Sequence, residues 1–316
     1  MRRGVDMNDI QPGTDDAISH RHFERHFHAW ISERGGRTQE VTYERSHGGT
    51  CSALFVAAIP PAKGLVVVAH ATGNDKYFTF IELFRLMHEE RLDIFAFDLD
   101  GHGRQSTHLL SGSAVESMLQ EAIAAARRFN IDAPLHLLGQ SLGALLILHL
   151  LQKGDTGAGP IRSAVLLSSP IRGRIERRRL WRECLLALKP SWHAAIQIYG
   201  AWGLLPAVGP FKRSLYPMRF GPDHPESGIA AYISFVDELV QRFQIGKRPI
   251  DGTTPCLLLY GEDDALTPPT QATEIKGSLR PPSQVQVVQG ETHFTLPLSS
   301  KCHAQVRAWL RARSEN

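Results

Sequence analysis

Leu135-His136-Leu137-Leu138-Gly139-Gln140-Ser141-Leu142-Gly143-Ala144-Leu145-Leu146-Ile147-Leu148 is the stretch whose reading decides the fold of this 316-residue chain. Its first half is a short apolar run of strand length, and the segment from Leu142 to Leu151 is an apolar run of helix length. Between them stands Gly139-Gln140-Ser141-Leu142-Gly143, a G-x-S-x-G sequence. Its two glycines permit a sharp strand-to-helix turn that lifts a hydroxyl clear of a sheet, a position that bulky neighbours would block. The five residues alone recur often by chance, and a glycine-rich turn with no chemical role is the competing reading. In the strand-turn-helix setting, Ser141 is a candidate nucleophile.

Outward from this stretch the same rhythm continues. Val41 to Arg45 and Ala53 to Ile59 read as a hairpin across Gly48-Gly49, followed by runs at Gly64–His70, Asp93–Asp98, Leu135–Gly139, Ala164–Ser168, Cys256–Tyr260 and Val285–Val288. Helical stretches fall at Phe78–Glu90, Ala114–Phe129, Leu142–Leu151, Thr270–Leu279 and Ser300–Arg313. Several strand runs are unbroken Val, Leu or Ile, as central strands covered on both faces require. The expected fold class is therefore α/β, with an eight-stranded, mostly parallel sheet and helices on both faces.

Composition agrees. With 42% hydrophobic and 21% charged residues, the chain has the profile of a folded globular protein, which excludes disordered, collagen-like and coiled-coil classes. Thirty-five Lys and Arg against 32 Asp and Glu leave a formal charge of +3, too weak for the footprint of general nucleic-acid binding. The four cysteines, Cys51, Cys184, Cys256 and Cys302, form no CxxC pair, so neither a disulfide framework nor a zinc site is expected. The first residues interpose acids, Gln, Pro and Gly where a secretory leader needs an unbroken apolar stretch, and the longest apolar runs fall short of the roughly 20 residues that span a bilayer. A cytoplasmic protein with no integral membrane segment is expected, and both Met1 and Met7 are candidate starts.

Three divisions follow. Residues 1–40 read as a polar tail and a short amphipathic helix carrying Phe23, Phe27 and Trp30 at helical spacing. Residues 41–171 and 251–316 read as the α/β core. Residues 172–250, about 80 residues with Trp181, Trp192 and Trp202, are too long for a plain loop and read as an inserted helical lid. His22 and His26 stand four apart on the first helix, a spacing a metal could use, but interleaving with Arg21 and Arg25 favours a wet helix face. No metal site is assigned. No G-x-x-x-x-G-K-[ST] or G-x-G-x-x-G loop is present, and no cofactor is expected.

A serine hydroxyl needs a histidine base and an acid that orients the histidine. Tyr260-Gly261-Glu262-Asp263-Asp264 ends one strand run, and Val288-Gln289-Gly290-Glu291-Thr292-His293 ends the last. Asp264, set further past the strand end than Asp263, and His293 are the expected partners of Ser141. The oxyanion formed on attack needs backbone N–H donors. Leu142 supplies one, and Thr72, with Ala71 as the alternative, the other. Ala71, Gln140 and Trp202 are expected to touch substrate.

Four motifs in this order, His70-Ala71-Thr72-Gly73, Asp98-Leu99-Asp100-Gly101-His102-Gly103, Gly139–Gly143, and Gly261–Asp264 with Gly290–His293, resemble the α/β-hydrolase superfamily over residues 41–316. The second resembles the D-x-x-G-H-G-x-S turn of the monoacylglycerol lipase, lysophospholipase and serine aminopeptidase-like branch; the chain departs from that branch at Ala71, where Gly usually follows the His, and at Ser106, one residue later than the usual serine. The resemblance implies a lid inserted after the sixth strand, and a serine hydrolase acting on an acyl ester through an acyl-enzyme. Six arginines between Arg172 and Arg182 offer a second reading, a thioesterase or acyltransferase that receives coenzyme A or an acidic carrier protein there; the plain alternative is a solvated helix face. A non-catalytic ligand receptor on the same fold is a third reading, and amidase, peptidase and carbon–carbon hydrolase chemistry also suit the three residues.

Overall fold

Val66, Val67 and Val68 lie in a six-residue strand with no exposed side chain. The same holds for three more strands, and a strand buried on both faces must sit inside a sheet that is covered twice. The computed structural model describes residues 25–72, 74–77, 80–103, 111, 114–154, 159–172, 178, 179, 182, 183, 229–245, 250, 254–277, 279 and 281–315. Eight strands form one sheet: β1 Arg37–Glu44, β2 Thr50–Ala57, β3 Gly64–Ala69, β4 Leu92–Phe97, β5 Leu135–Gln140, β6 Ile161–Leu167, β7 Cys256–Gly261 and β8 Gln284–Val288. Their order is β1-β2-β4-β3-β5-β6-β7-β8; β2 runs antiparallel to both its neighbours, and β3 to β8 are mutually parallel.

Seven helices enclose the sheet: α1 over residues 25–33, α2 Ile81–Glu89, α3 Val115–Arg127, α4 Leu142–Lys153, α5 Ile229–Phe243, α6 Thr270–Lys276 and α7 Ser300–Ser314, counted among the described residues. The strands divide their side chains between two cores. Leu65, Val67 and Ala69 face α3, α4 and α5, whereas Val66 and Val68 face α1, α2 and α7. The strand count meets the expectation, but β1 begins at Arg37 rather than Val41. Its first four residues are polar and largely exposed, so they pair with β2 at the sheet edge without an apolar signal.

Parallel strands bring their carboxyl ends to one edge of the sheet, where open α/β folds collect their chemistry. Ala69, Phe97, Gln140, Leu167, Gly261 and Val288 all end there. After β6 the chain is described to Arg172, at residues 178, 179, 182 and 183, and again along α5. Phe235, Leu239 and Phe243 of α5 bury into the same core as α3 and α4, and Phe243 stacks on His149 with ring centroids 3.6 Å apart. Most of the expected lid, Trp181, Trp192 and Trp202 included, lies outside the described residues, as does His22.

Candidate active site

Ser141 occupies the turn between β5 and α4 with φ 50° and ψ −109°, a left-handed backbone that non-glycine residues adopt at a cost. Its N–H donates to the Leu167 carbonyl at 2.9 Å, and its own carbonyl accepts the Leu145 N–H at 2.9 Å, opening the helix. The flanking glycines allow this. A Cβ on Gly143 would run into the Ala69 carbonyl, and one on Gly139 would stand 2.6 Å from the Ala144 nitrogen. The helix start is thus pressed against the end of β3.

His293, after β8, directs Nε2 at the Ser141 Oγ, 3.1 Å away. Its Nδ1 lies 3.0 and 3.2 Å from the two Asp264 carboxylate oxygens. Asp264 follows β7 and is held in turn: it accepts the Leu266 N–H at 3.0 Å, the Thr267 N–H at 2.6 Å and the Thr267 hydroxyl at 2.6 Å. The two loops touch. A Cβ on Gly261 would strike the Glu291 backbone. All three side chains are buried, at 2%, 3% and 3% exposure for Ser141, Asp264 and His293. Burial pushes the imidazole toward its neutral form, but the charge and hydrogen bonds of Asp264, assisted by Glu183, outweigh it and hold the His293 pKa above the ordinary histidine value. The structure therefore brings together Ser141, Asp264 and His293, which stand far apart in the chain.

The loop after β3 runs beside the turn. A Cβ on Gly143 would also stand 2.8 Å from the His70 carbonyl, so the chain passes the start of α4 just before Ala71 and Thr72. Ala71 is buried, and the Thr72 hydroxyl is buried with no partner among the described residues. Gln140, the last residue of β5, is buried beside Leu167. This loop is fixed by the Asp98–Gly103 turn. His70 Nε2 accepts the Leu99 N–H at 2.9 Å; Asp98 takes the Lys76 N–H and ammonium, each at 2.9 Å; Asp100 pairs with Arg45 at 2.9 Å. The carboxylates of that motif serve as anchors.

Trp202 lies outside the described residues. Of the arginine cluster, Arg172 pairs with Glu274 of α6 at 2.6 Å. Two residues escaped the sequence reading. Thr267 bonds both Asp264 and the His293 Nδ1, the latter at 3.1 Å, and a Thr three places after an acid is a turn signal that could have exposed it. Glu183, fully buried, sits at the end of an arginine run, where the local pattern reads as wet surface. Among the described residues, no group of three His, Cys, Asp or Glu side chains is placed to hold a metal ion, and no helix is long and apolar enough to cross a membrane.

The family model described as serine aminopeptidase, S33 (Hydrolase_4) matches residues 60–296. The caffeoylshikimate esterase of Arabidopsis thaliana is 24% identical over 173 residues, 52% of this chain; the match spans about half that relative's length, also 52%. A soluble variant of monoglyceride lipase from Saccharomyces cerevisiae, solved with a substrate analog, superposes with a TM-score of 0.63 at 15% identity, covering 88% of this chain and 94% of that one. A monoacylglycerol lipase from Paleococcus ferrophilus superposes with a TM-score of 0.56 at 20% identity, over 83% and 99%. At these identities the superpositions establish the α/β-hydrolase fold.

Proposed function

Because the chain belongs to the serine aminopeptidase (S33) family of hydrolases, we propose that it cleaves carboxylic acyl esters with Ser141 as nucleophile, His293 as general base and Asp264 as orienting acid. The observation that carries this reading is the unbroken line from the Asp264 carboxylate through His293 to the Ser141 hydroxyl, ending on a serine in a left-handed turn. Ser141 Oγ attacks the ester carbonyl while His293 Nε2 takes its proton. The oxyanion that develops faces the N–H groups of Leu142 and Thr72, each such donor contributing on the order of 3 kcal/mol to the transition state. His293 returns the proton to the departing alkoxide, leaving an acyl-Ser141 and a free alcohol. Water, deprotonated by His293, then releases the acid and restores the serine. The chemistry needs only these side chains and backbone groups. Ala71 and Gln140, both buried, are the described residues we assign to the acyl carbonyl's surroundings.

An ester is favoured over a coenzyme A or carrier thioester because the relatives with printed activities are esterases and monoacylglycerol lipases, and because Arg172 already has a carboxylate partner within the chain. The test is a rate comparison of wild type and Ser141→Ala on short and long acyl groups, each as glycerol ester, nitrophenyl ester and pantetheine thioester. Esters should turn over, and Ser141→Ala should lose about 1000-fold or more in kcat. Turnover of thioesters alone would move the assignment to acyl transfer from a carrier; an undiminished Ser141→Ala would remove Ser141 from the mechanism.

A further inference from the structure

The two loops that carry Asp264 and His293 are bridged by a side chain belonging to neither. Glu183 comes from the segment that follows β6, and none of its surface is exposed. One carboxylate oxygen accepts the N–H of Ala265, the residue after Asp264, at 2.9 Å. The other accepts the N–H of Phe294, the residue after His293, at 3.2 Å. A buried acid is costly unless its lone pairs are filled, and here two amides from the two loops fill them.

We propose that Glu183 is a positioning residue that clamps the acid loop to the base loop, fixing the Asp264–His293 hydrogen bond and adding a negative charge behind the imidazole. The proposal rests on the Ser141–His293–Asp264 reading and extends it to the inserted segment. The chain between β6 and α5 would then contribute to catalysis through the alignment of the triad, whatever else it does for substrate.

Among the described residues, the charged and titratable groups around the clamp are few. Asp264, with Tyr260 beside it, faces Glu183 from β7 and its loop, and His293 and Thr292 face it from the loop after β8. Ser141 meets His293 from the other side. Glu291 acts on Cys302 and His303 instead. Burial, then the Asp264 charge, push the Glu183 carboxyl above the ordinary glutamate value, and its ionised form in turn supports the protonated form of His293.

The test is the pH profile of Glu183→Gln on an ester substrate, with Glu183→Asp and Ser141→Ala alongside. Glutamine fills the same volume but offers an amide nitrogen to one of two N–H donors and carries no charge. The kcat should fall roughly 10- to 100-fold, as expected when catalytic groups lose alignment, with KM little changed. The acid limb of kcat/KM should shift to lower pH, because removing a negative charge near His293 makes the imidazole easier to deprotonate. Aspartate keeps the charge and shortens the reach, so kcat should fall by a similar factor while the limb stays near its wild-type position. Should Glu183→Gln not fold, the aspartate variant decides: wild-type kcat there overturns the proposal. A glutamine variant with wild-type kcat and an unmoved limb also overturns it. The two readings separate cleanly, since an active Ser141→Ala removes the triad, whereas an inactive Ser141→Ala beside an unaltered Glu183→Gln removes only the clamp.

Discussion

Ser141 shows how much chemistry a few residues can specify. Its left-handed backbone is tolerated because glycine stands two places before and after it, letting β3, β5 and α4 approach at near backbone contact. This much is legible in five letters of sequence, and so are Asp264 and His293, the proposed acid and base, since each closes a strand run with a turn. Glu183 is not legible in the same way. Its partners stand 82 and 111 residues away, and no local periodicity encodes such distances; Thr267 shows its turn to Asp264 locally, but not its contact with His293, 26 residues on. The glycine argument makes a sharp prediction. Gly143→Ala should push its Cβ into the Ala69 carbonyl, costing about 1–3 kcal/mol of stability as overpacking does. By displacing the serine it should also reduce kcat by up to about 100-fold. Gly277→Ala is the control, with φ −69° and nothing near the added carbon, and should leave both quantities close to wild type. Denaturant unfolding and ester turnover on the two variants check the contrast; equal behaviour would refute it.

Among the elements, the interior strands were the most readable, because burial on both faces leaves a continuous apolar signature in β3, β4, β5 and β7. β1 begins four residues before the apolar pattern does, since an edge strand can be polar. Helix α2 begins at Ile81, three residues inside the expected start, and its first described turn has no side-chain cap to announce it. What no pattern revealed is how loops are tied to one another. Lys76, 2% exposed, pairs with the fully buried Asp98 at 2.9 Å, bonds Ser52 at 2.9 Å and lies 3.6 Å from Glu40, joining the loop after β3 to the end of β4. Burial opposes the charge on Lys76, but Asp98 and Glu40 outweigh it and raise its pKa. Lys76→Met should therefore destabilise the protein by about 3–5 kcal/mol, because Asp98 is left charged and buried. Neutralising the orphan in the double variant Lys76→Met, Asp98→Asn should restore part of the loss. Equilibrium unfolding of the single and double variants measures both; a single variant as stable as wild type would contradict the account.

At the scale of the whole molecule, fold class and strand count follow from sequence pattern, whereas the order of strands does not. β4 lies outside β3, and β5 lies on its other flank, an arrangement set by how crossover helices pack and not by any residue in the strands themselves. As a result, loops after β3, β5, β7 and β8, drawn from positions 70 to 293, meet at one edge of the sheet, with Glu183 of the segment after β6 between two of them. The central claim is that this edge carries one activated serine. Intact-mass analysis after brief exposure to a fluorophosphonate, with peptide mapping of the adduct, tests it most directly. The account predicts a single adduct on Ser141 in wild type, much slower labelling in His293→Ala, and none in Ser141→Ala. An adduct on another residue, or labelling of the Ser141→Ala variant at the wild-type rate, would contradict it.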